Sequence, residues 1–216
     1  RPKSHRGRPS HPAGVLPWLW VLARPTGCRN FQELEPAAVI PRTVDRLGLT
    51  DYKLGLQGSY PTREYCVQYR ESDMDFVSRL MEEYGISYYF KHSDGEHKLI
   101  MTDEMSTFES ISGSRPYYES GDTRRSDKDY FWKFMPGRSF SSGKIKLDEY
   151  DFKNSEADQV VNEEVSPPFE PGTLEVFDYP GRYVKTGDGK KKAQAWRDLE
   201  RTRDHHFHAE GDSAGC

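Results

Sequence analysis

Residues 59–103 constrain the fold more than any other stretch, because three local patterns follow one another there without a gap. Tyr65, Val67 and Tyr69 alternate with Cys66 and Gln68, the two-residue period of a half-buried strand. Ser72 stands where a helix N-cap is expected, with Asp75 three residues on in a capping-box position. Phe76, Val77, Leu80, Met81 and Tyr84 then form one apolar helical stripe, and Gly85 supplies the stop. Ile86–Phe90 and His97–Met101 flank Ser93-Asp94-Gly95-Glu96, and Asp-Gly between two apolar runs signals a two-residue hairpin turn. Strand, helix and hairpin in that order commit the chain to a mixed fold.

The patterns elsewhere are weaker. Val15–Ala23 reads as a strand with Trp18 and Trp20 on one face. A helix is expected after Phe31: Pro36 suits its first turn, Val39, Ile40, Val44 and Leu47 fall on one side, and Gly48 ends it. Pro41 deletes a backbone bond there, so that helix either kinks or begins at Pro41. Residues 106–128 read as an exposed connection, and Asn154–Pro168 as a long loop. Tyr130–Met135, Lys144–Phe152 and Thr173–Tyr179 look like strands. A last helix spans about Lys190 to Arg203, with a narrow stripe of Ala193, Trp196 and Leu199, as on a surface or between subunits. The class is α+β with β dominant.

Composition pulls two ways. Mean hydropathy is −0.90, and 34% apolar against 31% charged residues leans toward a polar or partly disordered chain. The 13% of aromatic residues opposes that, since each carries a large apolar area. No run of about 18 apolar residues exists to span a membrane as a helix. Arg1, Lys3, Arg6, Arg8, Arg24 and Arg29 face no acidic residue within 1–32. Residues 1–14 lack interleaved aromatics and any nucleic-acid motif, so they read as a solvated, flexible basic arm; no nucleic-acid partner is expected. The apolar stretch behind them lacks a small-x-small cleavage site and does not read as a signal peptide. Cys28, Cys66 and Cys216 make an odd set without a close pair, which suits reduced thiols in a reducing cytoplasm.

Three clusters invite a catalytic reading. Asp73 and Asp75 lie in a first helical turn, where the helix dipole accounts for carboxylates. Asp148, Glu149 and Asp151 lie on a predicted strand, with Glu149 and Asp151 sharing a face; that is the raw material of glycoside hydrolysis and equally of a wet sheet face. His205 and His208 would share a metal only if the last helix reached them; with His206 they read as a solvated chain end. Nucleophile-elbow, P-loop and dinucleotide motifs are absent. No catalytic, cofactor-binding or metal-binding residue is assigned, and no cofactor is expected.

At residues 59–92 the string SYPTREYCVQYRESDMDFVSRLMEEYGISYYFKH resembles the VgrG family (Rhs-element Vgr proteins), the spike proteins of the bacterial type VI secretion system. Further family-like blocks follow in order: PWLW at 17–20, CRNFQ at 28–32, HKLIMTD at 97–103, GKIKLDEYDF at 143–152 and VFDYPGRY at 176–183, so that the likeness covers about residues 16–212. Ala193, Arg197, Leu199 and Glu200 match the helix that follows.

The resemblance implies a non-enzymatic spike component built from phage baseplate-hub-like β-barrel modules with a few packed helices, truncated on the N-terminal side. It implies residues 1–14 as an unmatched arm, 15–110 as the remainder of a first hub module, and 111–216 as a second module ending in a polar helix. It further implies a homotrimer joining the hexameric Hcp tube to the needle. An effector and a PAAR-repeat protein would engage parts missing here. The expected location is the bacterial cytoplasm before assembly, then secretion through the apparatus. Two other readings stand beside it: a split-gene or non-functional remnant, and a peptidoglycan-degrading effector enzyme.

Overall fold

The computed structural model describes residues 3–5, 8–10, 14, 16–110, 114–119, 130–165 and 174–212. The contacts divide it into two units, residues 1–51 with 60–80, and residues 52–59 with 81–216. Sheets in both have two or three strands, and among the described residues none closes on itself.

The first unit opens on β1 (Lys3–His5) and β2 (Arg8–Ser10), which pair antiparallel within the basic arm. Trp18–Ala23 then forms a 3-10 helix where a strand was expected. The reason is spacing: Leu19 and Leu22, three residues apart, are both buried, and a three-residue turn brings them to one side. Trp20 is left outside with the Arg24 guanidinium 4.0 Å above its ring.

β3 (Thr26–Leu34) had no sequence signal; it pairs antiparallel with β5 (Arg63–Ser72), the strand that the alternation at 65–69 predicts. α1 (Pro36–Asp45) takes Pro36 at its first position and includes Pro41 in its interior, so Pro41 does not begin the helix. The missing backbone bond is outweighed by burial of Val39, Ile40, Thr43 and Val44 on one face. Gly48 adopts φ of 72° just beyond, a left-handed conformation that glycine enters at no steric cost.

α2 (Asp73–Glu83) starts as the sequence predicts. The Ser72 hydroxyl accepts from the Asp75 amide at 3.0 Å and donates to the Asp75 carboxylate at 2.6 Å. Phe76, Val77 and Leu80 are fully buried, and Phe76 stacks on Phe31 of β3 at 5.6 Å.

In the second unit, β6 (Ser87–Ser93) and β7 (Glu96–Thr102) form the predicted hairpin, with Ser93 opposite Glu96 and Gly95 at φ of 75°. β4 (Tyr52–Gly55) pairs parallel to β7 on its other side. Leu99 to Thr102 are all buried, as a central strand requires.

β8 (Tyr130–Arg138) pairs with a strand later in the chain, described below. β9 (Lys144–Leu147) lies between β10 (Val161–Glu164), antiparallel, and β11 (Glu175–Asp178), parallel. The strand expected over Lys144–Phe152 therefore ends at Leu147, and the loop expected at Asn154–Pro168 contains a strand. α3 (Thr186–Asp204) lays Ala193 and Trp196 on this sheet, and their core includes Ile145, Leu147, Val161 and Tyr183. The remaining face of α3 is polar, and Leu199 is exposed. β12 (His205–Asp212) follows directly and pairs antiparallel with β8.

Candidate functional site

The three acidic and histidine clusters are each absorbed by local structure. Asp73 is 1% exposed and lies between two guanidinium groups: Arg29 and Arg46 each donate to one of its oxygens. Gln68 Nε2 adds a third donor at 2.9 Å, while Gln68 Oε1 accepts from Arg29 Nε at 2.7 Å. Burial of Arg29 lowers its pKa, and the Asp73 charge opposes that shift. Asp73 is the buried member and Arg29 and Arg46 are part-exposed, so losing the carboxylate costs about 1–3 kcal/mol, the scale of unmade charged hydrogen bonds. The network therefore holds β3, α1 and α2 together.

Asp148, Glu149 and Asp151 do not lie on a strand, contrary to expectation, so Glu149 and Asp151 share no strand face. They lie beyond β9, where each carboxylate accepts from backbone amides. Glu149 Oε2 takes the amide of Arg182 at 2.6 Å, and Asp151 Oδ1 that of Lys153 at 2.9 Å. These bonds to backbone amides account for the carboxylates as parts of a turn tied to the Arg182 segment.

α3 ends at Asp204, and the three histidines stand on β12. Three residues apart on a strand, His205 and His208 point to opposite faces, so the shared metal has no geometry here. His208 Nε2 lies 3.0 Å from Glu210, which also accepts from Lys133 at 2.6 Å. The Lys133 bond, with a second from His208, holds the Glu210 carboxyl down at about 2. Among the described residues no three His, Cys, Asp or Glu side chains are placed to hold a metal. Cys28 and Cys66 are free thiols, and Cys216 lies outside the described residues.

What the structure exposes instead is aromatic surface on paired strands. In β5 the expected alternation is present: Cys66 and Gln68 are buried, while Tyr65, Val67 and Tyr69 look outward. Tyr65 is 53% exposed and Tyr69 64%, on the same face as Cys28, Asn30 and Gln32 of β3. Arg70, at φ of 53°, forms a bulge that sets its guanidinium 5.2 Å from the Tyr69 ring.

The β8–β12 ribbon is a second such surface. Phe134 and Phe207 stack at 5.3 Å, and both are more than half exposed. β12 has only β8 as a neighbour, and its other edge has no strand partner among the described residues. Tyrosine and other aromatic residues are enriched where proteins meet, and an isolated two-stranded ribbon is marginal in water. The only sequence signal for these surfaces is the aromatic excess on an otherwise polar chain.

The short open sheets and few helices of the two units define a β-dominant α+β class. The chain belongs to the phage tail baseplate hub (GPD) family, which it matches over residues 2–216. It is 36% identical over 187 residues to the type VI secretion system spike protein VgrG1b of Pseudomonas aeruginosa, covering 86% of this chain and 25% of that protein. It is likewise 36% identical over 184 residues to the spike protein VgrG1a of the same organism, covering 84% and 28%. The VgrG resemblance read at residues 59–92 thus holds over most of the chain, which spans about a quarter of the length of these relatives. The solved tail protein from Neisseria meningitidis shares the fold, with a TM-score of 0.59 at 9% identity over 86% of this chain and 53% of that one. No helix of the described residues is long and apolar enough to cross a membrane.

Proposed function

We propose that this chain is the hub part of a type VI secretion spike and acts as scaffold, not as catalyst. The observation that carries the reading is the outward aromatic face of β5, an apolar surface that a self-sufficient monomer would bury. In this reading Tyr65, Val67 and Tyr69 pack against neighbouring copies in a homotrimer, and the trimer docks on the hexameric Hcp tube. Residues 15–110 and 111–216 act as the two hub modules, and their open sheets complete β-barrels once the remaining polypeptide or neighbouring copies are in place. The effector and PAAR-repeat partners engage other parts of the spike. The protein is made in the bacterial cytoplasm and leaves through the type VI apparatus. The family membership, the spike proteins among its relatives and the polar outer face of α3 all support this account.

The experiment is a mass measurement of the purified chain, alone and with Hcp, by light scattering after gel filtration. A trimer that binds Hcp is expected, and Tyr65→Ser with Tyr69→Ser shifts it toward monomer at unchanged thermal stability. A compact monomer that ignores Hcp overturns the proposal.

A further inference from the structure

The tip of the β6–β7 hairpin sets two histidines against each other. Ser93 and Glu96 flank the two-residue loop Asp94-Gly95, and His92 stands opposite His97 in the next rung. In a hairpin with so short a loop the flanking pair exchanges the backbone bonds. The rung behind it is then the closer, non-bonded kind, with Cα atoms about 4.5 Å apart and side chains projecting together. The imidazole rings accordingly meet, with centroids 4.5 Å apart and planes at 72°. Phe90, on the same face, packs on His97 at 4.5 Å and lies 6.3 Å from His92. Lys91 and Lys98 alternate to the opposite face, where Lys91 pairs with Glu109 at 2.5 Å.

Aromatic or β-branched side chains of any kind would stabilise a strand pair at this rung. Two imidazoles bring something more, a pair of ring nitrogens on one face of one hairpin. With bonds of about 2.0–2.1 Å, two such nitrogens on one tetrahedral ion stand about 3.4 Å apart. Rings centred 4.5 Å apart reach that separation by rotation of a side chain, and His92 is exposed and has room to turn. His97 is half-buried with its Nε2 inside, which makes it the fixed member of the pair and His92 the one that closes.

We propose that His92 and His97 form a two-nitrogen chelate for one divalent transition ion of the zinc, nickel and copper class, with water in the remaining positions. Imidazole suits these ions, whereas magnesium and calcium ask for oxygen ligands, which the pair does not offer. Among the described residues no third His, Cys, Asp or Glu completes the set, so the site is open and exchangeable, unlike a closed structural zinc site. A bound ion ties β6 to β7 at the end where the hairpin is most exposed.

The test is calorimetric titration of the full chain with Ni²⁺ and Zn²⁺, and with Mg²⁺ as the control. Saturable binding of the first two and none of the third is expected, with a melting temperature raised by Zn²⁺. His92→Phe, at an exposed position, keeps a ring against His97 and removes the nitrogens. It should weaken binding about tenfold or more and abolish the thermal shift, because the second nitrogen of a chelate binds at high effective concentration. His205, His206 and His208, exposed on β12, are competing imidazoles; replacing all three with Ala should leave the hairpin site in place. In NMR spectra of histidine-labelled protein, Zn²⁺ should shift the ring signals of both His92 and His97. No binding, equal binding by His92→Phe, loss of the tight site in the β12 variant, or a shift of only one of the two rings each overturns the proposal.

Discussion

Tyr183→Phe is the sharpest probe of the second unit. Tyr183 is 6% exposed, and its hydroxyl is placed to donate to the carbonyls of Gln159 and, at 3.3 Å, Leu147. Burial first, then the negative charges of Asp148, Glu149 and Asp158, push its pKa up to about 12 from an ordinary 10.0. Each unit is worth about 1.4 kcal/mol, so the protonated tyrosine carries about 2–3 kcal/mol that the ionised one lacks. Because the folded pKa lies above the unfolded one, that stability is fully present below about pH 10 and is lost as pH rises through 12.

At pH 8 the substitution removes only the hydrogen bond and leaves the two carbonyls unserved, about 1–2 kcal/mol. By pH 11 the wild type has surrendered about 1.4 kcal/mol through this one group while the variant has surrendered none, so the two converge. Urea titrations of both proteins from pH 8 to 11.5 read this directly through the fluorescence of Trp196, which packs on the same core. Other tyrosines and lysines titrate alike in both and cancel in the difference. A gap that stays constant from pH 8 to 11 would refute the reasoning.

Three further outcomes are expected. Asp73→Ala leaves the part-exposed Arg29 and Arg46 without their acceptor and should lower stability by about 1–3 kcal/mol in chemical denaturation, against about 0.5 kcal/mol for a surface carboxylate. Gly189→Ala sets a helix gain of about 1 kcal/mol against a new Cβ 2.7 Å from the Tyr183 ring, so a net loss of about 1–2 kcal/mol is expected; a gain in melting temperature would contradict the packing. Lys133→Met removes the chief bond holding the Glu210 carboxyl at about 2, and carbon-detected NMR titration should find it shifted upward.

The sequence was most legible where local physics decides. The cap at Ser72, the stop at Gly85 and the Asp94-Gly95 turn each depend on a few adjacent residues, and all three stand where they were read. The choice of the buried face in β5 shows what local reading leaves open. A two-residue period says that two faces differ, without saying which of them is buried. Gln68 goes inward because Arg29, 39 residues away, and Asp73 complete its hydrogen bonds, and small Cys66 fits where a tyrosine would not. Likewise β3 and β10 are strands by virtue of β5 and β9, partners that their own polar sequences do not announce. The candidate interface was legible only as an aromatic surplus without an address. Its positions depend on pairings made across the chain.

Under the assembly proposed above, the β8–β12 ribbon gives the free chain a kinetic problem that the assembled one would lack. Until something covers it, each newly made copy presents eight residues of open strand beside two stacked phenylalanines, and two such copies meeting out of register can pair wrongly. Yield of soluble protein should therefore fall with the rate of synthesis and rise when partners are made alongside. For this ribbon, the timing of encounter matters as much as affinity.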